Sequence, residues 1–111
     1  EKVKAEQDAR NHEHGRRYHL KSKFGITPDQ WDEMYSRQQE RCYLCNDPLP
    51  REHVHIDHDH RCCPSKRSCG QCIRGLACRW CNQGVGQFKE DVARIRRIAD
   101  NLERAMSLIP I

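Results

Sequence analysis

The sequence predicts a small α+β fold, mostly helical, in which a strand–strand–helix core carries flanking N- and C-terminal helices. Three observations lead there. A chain of 111 residues with 36% hydrophobic and only 6% aromatic content is one domain with material for a thin core. Eight cysteines, the outer four arranged as Cys42-x-x-Cys45 and Cys78-x-x-Cys81, offer a staple for that core. Strand-like alternation is confined to two short stretches, while both ends are rich in helix formers. Within this single domain the expected organisation is a basic helical arm at 1–26, a core at 27–90 and an amphipathic helix at 91–111.

Residues 1 to about 23 are polar and free of proline, which favours helix. The apolar stripe Val3, Ala5 and Ala9 is weak; Tyr18, Leu20 and Phe24 are expected to anchor only the end of the arm. Gly25 breaks the run. Thr27-Pro28-Asp29-Gln30 then carries an N-cap threonine, proline at the first helical position and glutamine three residues after the cap, so a helix is expected to about Gln39. Its Trp31, Met34 and Tyr35 form a core face that braces the knuckle starting at Cys42. Val54 to His58 and Ile73 to Ala77 read as the strands of a hairpin with a long cysteine-containing loop. Cys78 opens a third helix, expected to be interrupted near Gly84 and Gly86, and a final helix runs from Gln87 to about Leu108. There Phe88, Val92, Ile95, Ala99, Leu102, Met106 and Ile109 recur in 4-3-4-3 spacing, a seam that either packs on the domain's own core or pairs with a second copy.

No apolar leader or membrane-length apolar run is visible, so the chain is not expected to enter a membrane. Cysteines in C-x-x-C pairs then read as ligands in a reducing intracellular compartment, with structural zinc at Cys42, Cys45, Cys78 and Cys81; disulfide or redox use is the alternative. The chain begins at Glu1 rather than methionine, which makes it a candidate fragment or processed product. Its formal charge of +4 is locally concentrated: Arg10, Arg16, Arg17, Lys21 and Lys23 in the first quarter, and Arg61, Lys66, Arg67, Arg74 and Arg79 around the cysteine pairs. Such clusters suit a polyanion backbone, against the alternative of a solvated charged surface.

Between the cysteine pairs runs Asp57-His58-Asp59-His60, and Asn82 follows the last cysteine directly. Carboxylate and amide oxygens suit a hard, open catalytic cation such as magnesium or manganese, in contrast to the soft thiolates around them. Asp57 and Asn82 are therefore the candidate ligands of that cation. His58 is the candidate general base, since an imidazole can take a proton from water near neutral pH. His60 is a candidate for positioning water, binding phosphate or assisting the leaving group, and Asp59 for orienting a neighbour or facing solvent. A third zinc site or a polar loop is the competing reading. One geometric condition attaches: neighbours on a regular strand face opposite ways, so the strand must end, twist or bulge for Asp57 and His58 to share a site.

Cys42-x-x-Cys45, Asp57-His58-Asp59-His60, Arg74-Gly75-Leu76 and Cys78-x-x-Cys81-Asn82 together resemble the phage recombination endonuclease VII family, a branch of the HNH or His-Me finger nucleases. Phe24-Gly25-Ile26-Thr27 resembles the segment leading into its knuckle, and the resemblance covers roughly residues 18 to 90. It implies a zinc-stapled ββα-metal core, with Asp57 and Asn82 on magnesium, His58 as general base and His60 as an auxiliary catalytic residue. It also implies products with 3′-hydroxyl and 5′-phosphate ends, made in a bacterial cytoplasm or a phage-infected host. The chain departs from the simplest family pattern at Cys62-Cys63-x5-Cys69-x-x-Cys72, where four further cysteines suit a second structural zinc, with a disulfide or free thiols as alternatives. Lys66 and Arg67 at the tip of that loop, with Arg16, Arg17, Arg74 and Arg79, are the candidate contacts to the DNA backbone.

The function these features favour is a metal-dependent DNA endonuclease. A zinc-dependent nucleic-acid-binding module without cleavage, a branched-DNA (Holliday-junction) resolvase and a zinc-stapled adaptor for a protein partner are the competing classes. Only one helix follows the core, where resolvases of the family carry more C-terminal sequence and act as intertwined dimers. Self-association here would run through the terminal helices.

Overall fold

A computed structural model describes residues 15–110. The expectations for the arm before residue 15, including the Val3, Ala5 and Ala9 stripe and Arg10, lie outside the described residues. The architecture is α+β, and the chain divides between Cys78 and Arg79 into two compact units.

In the first unit residues 15–19 are helical and continue into a π-helical turn, Leu20–Phe24. Gly25 ends it in the left-handed region (φ 72°), its N–H donating to the Lys21 carbonyl at 3.0 Å. Helix α1, Pro28–Arg37, starts at the expected capping box: the Thr27 hydroxyl accepts the Gln30 N–H at 3.2 Å, and the Gln30 side chain accepts the Thr27 N–H at 2.8 Å. Two consecutive left-handed residues, Gln39 and Glu40, turn the chain out of the helix and into the knuckle.

Strands β1 (His55–His58) and β2 (Ile73–Ala77) pair antiparallel, as the alternation predicts, one residue shorter at the start of β1. The core is small and lies around them: Leu20, Ile26, Trp31, Tyr35, Leu49 and Leu76, with Phe24, Met34, Val54, Ile56, Ile73 and Cys78 packed against it. The helix α1 face is core, as its spacing indicates. The Trp31 and Tyr35 rings sit 5.1 Å apart, and the Tyr35 hydroxyl donates to the Leu49 carbonyl at 2.5 Å. Six buried side chains are a thin core, so the staples matter.

The second unit comprises helices α2 (Arg79–Gln87) and α3 (Val92–Ser107). The expected interruption at Gly84 and Gly86 does not occur; α2 runs through both. Glycine lowers helix propensity by about 1 kcal/mol relative to alanine but does not by itself end a helix. The break falls after Gln87, where Lys89 and Glu90 take left-handed φ, and Asp91 caps α3 by accepting the Arg94 N–H at 3.0 Å. The final helix therefore starts at Val92, five residues after the position expected from sequence. Along the seam Phe88, Val92, Leu102, Met106 and Ile109 are exposed. Among the described residues no helix is long and apolar enough to cross a membrane.

Candidate active site and metal centres

Cys42, Cys45, Cys78 and Cys81 bring four sulfurs within 4.8 Å of one another. The Cys45 and Cys78 sulfurs are 3.9 Å apart, close to the roughly 3.8 Å edge of a tetrahedron with metal–sulfur bonds of about 2.3 Å. A disulfide needs about 2.05 Å. The backbone prepares the first ligand: Cys42 donates its N–H to the Asp47 carbonyl, its own carbonyl accepts the Asn46 N–H, and Asn46 takes a left-handed φ of 64° to close the knuckle. Burial works to raise the Cys42 thiol, but N–H groups of Cys45, Cys78 and Leu44, with the Cys45 side chain, overcome it and lower the pKa to about 7. The thiolate that a metal requires is thus favoured by the fold.

The hairpin meets the geometric condition set by the sequence. Asp57 pairs with Gly75 but His58 pairs with Ile73, so Arg74 is an extra residue on β2 and the register shifts between Asp57 and His58. A bulge of this kind breaks the alternation of faces on the strand that carries the extra residue, here β2. On β1, which ends at His58, both side chains are buried, Asp57 at 5% and His58 at 4% exposure.

Each has dedicated partners. The Arg74 guanidinium donates from Nε to Asp57 Oδ2 at 3.1 Å and from its terminal nitrogen to Oδ1 at 2.9 Å, while the Tyr43 hydroxyl donates to Oδ2. Tyr43 reaches there over Gly75: a Cβ on Gly75 would come within 2.7 Å of the Tyr43 ring. Burial, and then the hydrogen bond to Asp57, push the Tyr43 hydroxyl well above the ordinary phenol range. His58 Nε2 lies 3.0 Å from the carbonyls of both Cys63 and Ser65. Carbonyls only accept, so Nε2 carries a proton and Nδ1 is the nitrogen left with a lone pair in the neutral ring. The exposed His60 ring sits 4.5 Å from that of His58.

Asp59 serves a neighbour, one of its two expected roles. It accepts from the Arg61 backbone and guanidinium, and those bonds hold its carboxyl well below the usual carboxylate range. Asn82 lies on α2, immediately after Cys81.

Cys62, Cys63, Cys69 and Cys72 form a second group with sulfurs within 4.8 Å, Cys62 and Cys69 being 3.8 Å apart. None is disulfide-bonded. Adjacent cysteines can share this centre because the Cys62 and Cys63 N–H groups both donate to the Asp59 carbonyl, at 3.1 and 3.2 Å, closing one tight turn. The thiols Cys72, Cys69 and Cys63 push Cys62 up to about 12, while the Gln71 N–H, and then Cys63, lower Cys69 to about 7. The fourfold sulfur set suits zinc at both groups.

The basic residues separate into two kinds. Lys66 and Arg67 join Tyr18, His19, Ser22 and Lys23 around a surface hollow of about 460 Å³, so two basic stretches distant in sequence meet in space. Arg16 instead pairs with Asp32 at 2.9 Å and lies over the Trp31 ring, and Arg74 is paired with Asp57. Arg17 is exposed, and Arg79 lies over the exposed Trp80 ring.

The family model of recombination endonuclease VII matches residues 17–104, most of the chain. The chain belongs to the recombination endonuclease VII family. Among curated relatives, a gene 59 protein of Mycobacterium phage D29 is 29% identical over 83 residues, covering 73% of this chain and 46% of the relative. A gene 59 protein of Mycobacterium phage L5 is 33% identical over 61 residues, covering 54% of this chain and 32% of the relative. The chain thus spans less than half the length of these relatives. The resemblance read from the knuckles and the Asp57-to-His60 run is shown, and the endonuclease VII match extends it past residue 90 into α3. Tyr43 and the Cys63 and Ser65 carbonyls were missed by sequence reasoning; Gly75 opposite Asp57 was the available signal for Tyr43, and backbone carbonyls carry no signal at all.

Proposed function

We propose that this chain is a metal-dependent DNA endonuclease of the HNH, His-Me finger type, hydrolysing phosphodiester bonds to leave 3′-hydroxyl and 5′-phosphate ends. The observation that carries the reading is the burial of both Asp57 and His58 at the register shift of the hairpin, inside a segment matched to an endonuclease family. His58 takes a proton from water at its free nitrogen; the hydroxide attacks phosphorus, the bond to the 3′-oxygen breaks, and that oxygen leaves and is protonated. His60, whose ring lies tilted at 4.5 Å from that of His58, is the auxiliary group for positioning water or assisting departure.

Asp57 and Asn82 offer carboxylate and amide oxygens, a donor set that fits magnesium or manganese, and Asp57 would share its carboxylate with Arg74. When bound, such an ion supplies Lewis-acid stabilisation of the charge on the phosphate and leaving oxygen. The cysteine groups take structural zinc. Lys23, Lys66 and Arg67 supply phosphate contacts from one hollow, with Arg17 and Arg79 as further candidates. Arg16 and Arg74 are less suited to that role, being engaged by carboxylates. Self-association through the exposed α3 seam and an intracellular site of action belong to the same reading.

The test is nicking of supercoiled, linear and branched DNA by the wild type and His58→Ala, with magnesium and manganese varied. Cleavage by the wild type and its loss in His58→Ala, with DNA binding retained, is the expected result. Equal cleavage by the variant removes His58 from its role; binding without cleavage by the wild type favours the binding-module reading.

A further inference from the structure

The loop between the strands does more than connect them. It carries the four-cysteine group that departs from the simplest family pattern, and the two carbonyls that hold His58 belong to it: Cys63, itself a member of the group, and Ser65, two residues on. The loop is fixed on its far side as well. Ser68 donates its N–H to the Lys23 carbonyl at 2.8 Å, and Gly70, with φ of 92°, packs backbone to backbone on Gly25 so closely that a Cβ there would lie 2.3 Å from the Gly25 carbonyl oxygen. At its ends, the Asp59 N–H donates to the Cys72 carbonyl at 2.9 Å. Between these ties, residues 61–67 have no regular secondary structure, and their side chains are mostly exposed. A carbonyl pair on such a segment holds an imidazole in one orientation only if the segment itself is held.

We propose that Cys62, Cys63, Cys69 and Cys72 bind a second zinc ion whose work is to hold the Cys63 and Ser65 carbonyls against His58 Nε2, making this knuckle a positioning device for the base. The proposal rests on the reading of His58 as general base. The zinc is remote from the reaction: it cross-links Cys62 and Cys63 to Cys69 and Cys72, and the loop backbone passes that rigidity to the imidazole. Fixing the N–H on Nε2 keeps the lone pair on Nδ1, as a metal-bound histidine's partner carbonyl fixes its tautomer elsewhere. Residues supporting a ligand in this way typically contribute 10–100-fold to affinity or activity, and a loss of about that size is expected here.

The experiment compares the full chain with Cys62→Ser and Cys69→Ser, reading zinc content, far-UV circular dichroism, plasmid nicking and the His58 side-chain nitrogens by ¹⁵N NMR, assigned through His58→Ala. The expected result is two zinc ions in the wild type and one in each variant, with the helical signal retained. The His58 Nε2–H should be sharp and slowly exchanging in the wild type and lost or averaged in the variants, with nicking reduced about 10–100-fold. One zinc in the wild type, or variants with one zinc whose His58 resonances are unchanged, overturns the proposal. Should neither variant fold, partial chelation of the wild type decides: release of one zinc without a change at His58 also overturns it. Retained cleavage in His58→Ala would instead overturn the functional reading, while the zinc count and NMR still decide whether the knuckle orients the ring.

Discussion

Cys42 has no exposed surface and accepts the Cys78 N–H on its sulfur at 3.4 Å, whereas in the second group Cys62 and Cys69 are exposed and Cys63 and Cys72 half-buried. The first group's neighbours are the folding core itself. Tyr43 donates its N–H to the Leu76 carbonyl, Leu49 donates to Glu40, and the Gln38 side-chain amide pairs with both backbone groups of Leu76. The second group's neighbours are His58, through two carbonyls, and the Gly25 backbone. The same set of four sulfurs thus sits in two different surroundings. In the proposed reading, a metal held by thiols rooted in buried backbone would substitute for a core that six side chains leave thin, and one held on the exposed loop would order the segment touching the proposed base, His58.

The widest separation between the two should come from Cys42→Ser. Structural zinc supplies apparent binding energies of about 10–16 kcal/mol in small zinc-finger sites, so removal of this buried ligand is expected to unfold the first unit, seen as loss of the cooperative melt. A variant that keeps its fold without zinc would erase the contrast. Gly70→Ala sharpens it from the other side. Alanine must adopt a left-handed φ and push into the Gly25 carbonyl, at a cost of about 1–3 kcal/mol for the backbone conformation, so the loop should detach from its brace. Hydrogen exchange is expected to rise in residues 59–72 while β2 and α1 stay protected; a uniform rise would mean that the loop is part of the core after all.

Much of this was legible in the sequence. The capping box at Thr27 and Gln30 is a local hydrogen-bond pattern, and it formed as written. An irregularity of the hairpin was implied by chemistry, since Asp57 and His58 could share a site only if the strand ended, twisted or bulged there; the register shifts between them and β1 ends at His58. The cysteine groups followed from ligand spacing, including the unusual Cys62-Cys63 pair. What escaped depends on atoms or distances that residue identity does not encode. The His58 partners are carbonyls, which every residue possesses. Tyr43 reaches Asp57 only because Gly75 leaves room, and Arg16 turns inward to Asp32 and Trp31 although its sequence neighbours mark it as part of a basic arm. Gly84 and Gly86 misled in the opposite direction, because their low propensity was insufficient to end α2.

The division of labour can be tested in one titration, in which a chelator strips the folded wild-type protein while released zinc, far-UV circular dichroism and plasmid nicking are followed together. The exposed group should yield its metal first, so nicking falls with the first equivalent released and the helical signal holds until the second. Loss of structure and activity in one step, or full nicking after the first equivalent has gone, would contradict the assignment of one knuckle to the fold and the other to the base.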